Sequence, residues 1–168
     1  EIGLLRQDTR IALLHMEEMK STTYRAMATY ELGWNVRTKE DAVTTGFSEE
    51  QVIQAAQKIA GGENTVIFEM QSHDDPLQLL DYVRMAATIY GAEFVFIDHV
   101  QRLAYLSQSG VEGATSTLTT LGSRMAQLAK EVNIGVVFIS QVNDDGRTKY
   151  AASLEEEAII CVKLTRDT

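Results

Sequence analysis

Short apolar runs spaced between helix-patterned segments constrain this chain more than any other feature. They occupy residues 11–16, 65–68, 94–97, 134–139 and 159–164. Each is too short for an apolar helix, and most are rich in β-branched or aromatic side chains, as strands buried on both faces are. Between them lie helical signals. KSTTYRAMATYELG has helix-compatible composition and stops at Gly33. Ser48-Glu49-Glu50-Gln51 reads as a capping box that opens a helix running to Gly61-Gly62. Asp74-Asp75-Pro76 offers a cap and a first-turn proline, after which Leu77, Leu80, Val83, Ala87 and Tyr90 recur at helical spacing up to Gly91. From about Ser116, Leu118, Leu121, Met125, Leu128 and Val132 mark one face of an amphipathic helix, and residues 152–157 allow one or two further turns. Residues 34–47 and the stretch SQSGVEGATST read as loops. Strands alternating with helices predict an α/β fold with a mostly parallel central sheet and helices on both faces.

The 168 residues suffice for one domain with a substantial core, and 45% apolar with 23% charged residues is ordinary for a globular chain. No stretch approaches the roughly 18 apolar residues of a membrane span, and the first ten residues carry no signal-peptide pattern. A cytoplasmic location, or an organelle lumen after processing, is expected, with no membrane partner. The single cysteine, Cys161, excludes an internal disulfide and a cysteine-rich zinc site. A net charge of −9 repels nucleic acid as a whole, so any such contact must come from a local basic loop.

In parallel sheets, ligands bind beyond the carboxyl ends of the strands. Three runs end in polar groups: Met16 into Glu17, Ile97 into Asp98, and Ile139-Ser140 into Gln141. A strand-tip carboxylate suits a hydrated magnesium ion that neutralises nucleotide phosphates, and a second acid nearby can orient and deprotonate a water. An amide can donate to a phosphate and accept from a water at once. Each residue also has a plainer account. Asp98 could form an Asx-turn or helix cap, and Glu17 with Glu18 could be first-turn acids of a helix. His15 and His99 match no zinc spacing and read as structural. Arg147 and Lys149 could decorate a solvated loop, or meet a phosphate backbone.

Taken in order, these segments resemble the ATPase core of the DnaB-type hexameric replicative helicases, with their phage primase-helicase and Twinkle relatives. HMEEM resembles the family's S-L-E-M or L-E-E-S, FIDHVQRL its I-D-Y-L-Q-L, LAKEVNIGVVFISQVN its L-A-K-E-L-x-V-P-V-x-x-L-S-Q-L-N, and SLEEEAIICVKLTRD its S-I-E-Q-D-A-D-x-x-x-x-x-Y-R-D. The resemblance implies a RecA-like three-layer sandwich. It sets Glu17 on the water-activating glutamate, Asp98 on the Walker B aspartate that holds Mg2+ through water, and Gln141 on the phosphate sensor. ATP or another NTP is the implied cofactor, and a homo-hexamer around single-stranded DNA the implied assembly, with primase and a helicase loader as further partners. Residues 105–113 and 143–150 would line the channel, with Arg147 and Lys149 on DNA phosphates.

There are departures. No G-x-x-x-x-G-K-[ST] occurs in these residues, a K-x-R arginine-finger strand is missing, and the stretch between Lys149 and Ala152 is contracted. Residues 1–168 are thus expected to be a partial helicase ATPase domain with negligible ATP affinity alone. The implied setting is bacterial or phage-infected cytoplasm, with the mitochondrial matrix as the other. Two alternatives stand beside the helicase: another RecA-family ATPase, of recombinase or clock type, and a degenerate, non-catalytic interaction module.

Overall fold

A computed structural model describes residues 8–16, 18–61, 64–70, 75–100, 102, 110–140, 152–162 and 164. Their elements run β1 (Ile11–His15), α1 (Lys20–Leu32), α2 (Lys39–Thr44), α3 (Glu49–Ala60), β2 (Thr65–Glu69), α4 (Gln78–Thr88), β3 (Phe94–Asp98), α5 (Gly110–Val132), β4 (Gly135–Phe138) and α6 (Ala152–Glu157). Among the described residues the sheet has four strands in the order β2-β1-β3-β4, and every pairing is parallel.

Side chains along a strand alternate between faces, and the two faces here have different partners. Ala12, Leu14, Val95 and Ile97 point into a large cluster with Leu79, Val83 and Ala86 of α4 and Leu118, Leu121, Met125 and Leu128 of α5. Ile11, Leu13 and Ile67 point the other way, onto Met27 of α1 and Ile59 and Ala60 of α3. The result is three layers, as the RecA-like expectation requires. Two glycines mark close approaches. A Cβ on Gly135 would lie 2.4 Å from the ring of Phe94, its register partner, and one on Gly122 would lie 2.8 Å from Leu154 of α6.

The α1–α3 layer is held by a different kind of contact. Arg25 donates to the carbonyls of Val36 (3.2 Å) and Thr38 (3.4 Å) and forms an ion pair with Glu49 at the start of α3, with Nη2 2.6 Å from Oε2. The expected Ser48–Gln51 capping box is formed, Gln51 N–H donating to Oγ at 3.3 Å and Ser48 N–H to Oε1 at 2.9 Å. Gly33 and Gly61 close α1 and α3 in the left-handed conformation, which L side chains resist.

Three sequence expectations need correction. Residues 34–47 are not all loop: Thr38 and Asp41 build a second capping box, which starts α2. The long helix begins at Gly110 rather than near Ser116, because a helix already nucleated by its buried Leu118–Leu128 face extends through weak formers at small cost per residue. Residues 159–162 and 164 form no strand. Ile159 is 96% exposed, and β-branched composition without a partner strand does not make a sheet. Smaller shifts occur in α4, whose buried face is Leu79, Val83 and Ala86. Its first turn is set by Asp75 Oδ1 accepting from Leu77 N–H at 2.9 Å.

Candidate functional site

The sheet order places the strand that carries Asp98 between the two that run into Glu17 and Gln141. Because all are parallel, their carboxyl ends share one rim. His15, the last residue of β1, is the register partner of both Asp98 and Glu69, so three polar residues form one row across the ends of β2, β1 and β3. Neighbouring parallel strands lie about 4.8 Å apart. The backbone ladder continues past the strands: Met16 N–H donates to Asp98 O at 3.2 Å, Met70 N–H to His15 O at 3.0 Å, and Ile139 N–H to Ile97 O at 3.0 Å. The rim is therefore pinned through Met16, Met70 and Ile139.

Asp98 ends β3 with its side chain 43% exposed and His99 Nδ1 4.0 Å away. An Asx-turn would have its carboxylate accept from Val100 N–H. That N–H instead donates to Ile139 O at 3.0 Å, which leaves the carboxylate facing the rim's solvent. Among the described residues no three His, Cys, Asp or Glu stand close enough to hold a metal with protein ligands alone. One accessible carboxylate at a strand tip is the donor that a magnesium ion retaining its water shell needs, so the residues present fit that ion.

Two contacts at this rim were invisible in the sequence. Glu69 Oε1 accepts from Lys20 N–H at 2.7 Å, at the first turn of α1, whose N-cap residue Met19 supplies no side-chain cap. His15, only 9% exposed, shares a 2.8 Å hydrogen bond between Nε2 and Thr23 Oγ1. The structural role expected for His15 thus has a partner. Apolar flanks gave the sequence no signal for either pairing.

Of the other expected site residues, Glu17, Gln141, Arg147 and Lys149 lie outside the described residues. Met16 and Glu18, on either side of Glu17, are described, as is Ser140 before Gln141. Of the expected channel loop at 105–113, residues 110–113 belong to α5 and 105–109 lie outside the described residues.

The sequence profile of the DnaB-like helicase C terminal domain matches residues 4–152. The chain belongs to this family. Solved structures share its fold: an ATPase domain at TM-score 0.70 and 18% identity over 94% of this chain and 59% of that one, and a DnaB-like replicative helicase, described with its interactions with primase, at 0.68 and 17% over 93% and 40%. A KaiC-like protein from the hyperthermophilic archaeon Pyrococcus horikoshii aligns at 0.57 and 15%, covering 93% of this chain and 57% of that one. The chain thus spans between 40% and 59% of the length of these solved chains. No protein of curated function matches it significantly. With the DnaB-like family comes the RecA-like α/β fold seen above. Among the described residues no helix is long and apolar enough to cross a membrane.

Proposed function

We propose that this chain is the nucleotide-hydrolysing core of a ring-shaped replicative DNA helicase that couples ATP turnover to movement along single-stranded DNA. The observation that carries the proposal is the position of Asp98: an accessible carboxylate at the carboxyl end of the strand flanked by β1 and β4, in a DnaB-family chain. Magnesium, when bound, neutralises the phosphate charge, and Asp98 is the residue to hold it through water. Glu17, one residue past the pinned end of β1, takes the proton of the attacking water. Gln141, following β4, donates its amide to the terminal phosphate while its carbonyl accepts from that water. Arg147 and Lys149 supply the local cations for DNA phosphates that the −9 net charge does not offer elsewhere. A homo-hexamer with primase and a loader as partners, working in the cytoplasm, completes the proposal.

The test is DNA-stimulated ATPase activity together with strand displacement by the whole gene product. Glu17→Gln is expected to bind nucleotide and lose hydrolysis by roughly 10²–10⁴-fold, the usual worth of a general base. Asp98→Asn is expected to raise the magnesium needed for half-maximal rate. Unaltered turnover in the first variant and an unaltered magnesium titration in the second would refute the two assignments. The KaiC-like neighbour favours one second reading, a RecA-type ATPase that does not unwind DNA. Hydrolysis without strand displacement is its signature.

A further inference from the structure

Glu17 lies in sequence between β1 and α1, and the end of β1 and the start of α1 are both clamped, by backbone groups and by side chains to which the proposed chemistry gives no role. On the strand side, Met16 N–H donates to Asp98 O at 3.2 Å, and the His15 ring holds Thr23, in the first turn and a half of α1, through a 2.8 Å buried hydrogen bond. On the helix side, Glu69 reaches from the end of β2, 49 residues away in sequence, to accept from Lys20 N–H at 2.7 Å. The first N–H groups of a helix lack intrahelical partners, and the N-cap side chain that usually takes up one of them, at the second or third position, is here Met19, which offers no acceptor. The start of α1 is therefore located by β2 and β1 rather than by itself. We infer that Glu69 and the His15–Thr23 pair are positioning residues that fix the end of β1 and the start of α1, between which Glu17 lies in sequence, relative to Asp98, so that they set the rate of hydrolysis without touching nucleotide.

The inference rests on the proposed role of Glu17. It follows from the energetics of placement: a displacement of about 1 Å in a reacting group can cost about 10²-fold in rate, while substrate binding elsewhere is undisturbed. Glu69→Gln keeps a carbonyl oxygen for Lys20 N–H, whereas Glu69→Ala removes it. Thr23→Val removes the hydroxyl at nearly constant volume.

The experiment measures steady-state ATPase kinetics of the whole gene product, with far-ultraviolet circular dichroism and thermal unfolding on each variant. Glu69→Ala and Thr23→Val are expected to lower kcat roughly three- to thirty-fold with KM for ATP changed less than about twofold, and Glu69→Gln to recover most of the loss. In a Glu17→Gln background neither substitution should lower the residual rate further. Wild-type kcat in folded Glu69→Ala and Thr23→Val would overturn the inference, as would losses that persist unchanged in Glu69→Gln or multiply with that of Glu17→Gln. Should Glu69→Ala fail to fold, Thr23→Val alone decides by the same criteria. If Glu17→Gln itself hydrolyses ATP at the wild-type rate, the proposed function of Glu17 has failed and there is no acid to position. A fully active Glu69→Ala beside an inactive Glu17→Gln sinks only the present inference.

Discussion

The two faces of the sheet are covered by layers of unlike construction. On the α4–α5 side one continuous apolar cluster runs from Ala12 and Ile97 through Leu79 and Val83 to Leu121 and Met125. On the α1–α3 side the apolar contacts divide into two smaller clusters, one on the sheet around Leu13, Met27 and Ile59, and one among the helices around Ala28, Val36 and Val52. Directional groups complete that second layer: the Arg25 clamp, two capping boxes, and Glu69 on the first N–H of α1. A broad apolar contact tolerates small slips of its helices, while a layer fixed by hydrogen bonds locates its helix ends. The layer that begins with α1, just past the end of β1, is the one built for placement.

The largest effect should come from the apolar side. Leu121 is fully buried, and Leu121→Ala is expected to destabilise by about 2–5 kcal/mol from lost transfer energy and the cavity left behind, read as a shift of the urea midpoint. A shift below about 1 kcal/mol would mean that this cluster is not a close-packed core. On the other side, Arg25→Ala removes donors to two carbonyls and the ion pair with Glu49, and should cost about 1–3 kcal/mol. Amide exchange should then rise in α1 to α3 before it rises in α4 and α5. Exchange rising equally everywhere would erase the distinction between the layers.

The smallest effect belongs to an exposed pair on the apolar side. Arg84 of α4 donates twice to Glu131 of α5, at 2.8 and 3.2 Å. The bonded guanidinium holds the Glu131 carboxyl below its ordinary value, and the carboxylate holds Arg84 above its own. A depressed carboxyl contributes stability that is present above the unfolded value near pH 4.3 and lost as pH falls through the lowered one. Glu131→Gln should therefore shift thermal unfolding only slightly at neutral pH, less in high salt, and progressively less as the pH falls below the ordinary carboxyl range. A large shift, or one that does not diminish as the pH is lowered, would mean the pair is not the exposed contact it looks.

How much of this could be read from the chain follows from the range of each interaction. The strands at 11–15, 65–69 and 94–98 and the Ser48–Gln51 box declare themselves within a few residues, through apolar run length and a local side-chain exchange. Asp98 was legible for the same reason, as an acid directly ending an apolar run. The Thr38–Asp41 box obeys the same local rule, yet it opens a helix too short to show a period. Gly110 to Ser116 reads as loop because propensity is local, whereas the packing that carries this helix lies a turn or more downstream. Residues 159–164 have strand composition, but a strand is a pairing, which composition cannot supply. Glu69 on Lys20 and His15 on Thr23 depend on which strands are neighbours, so only the fold reveals them.

The proposed hydrolysis requires a magnesium-bound triphosphate to sit at the carboxyl rim of β1, β3 and β4. The most direct measurement is an experimental structure of the whole gene product with a non-hydrolysable ATP analogue and magnesium. The expected result is a water-bridged metal at the Asp98 carboxylate, with Glu17 and Gln141 on either side of the terminal phosphate. A nucleotide bound at the opposite end of the strands, or an Asp98 carboxylate turned away from the metal, would contradict it.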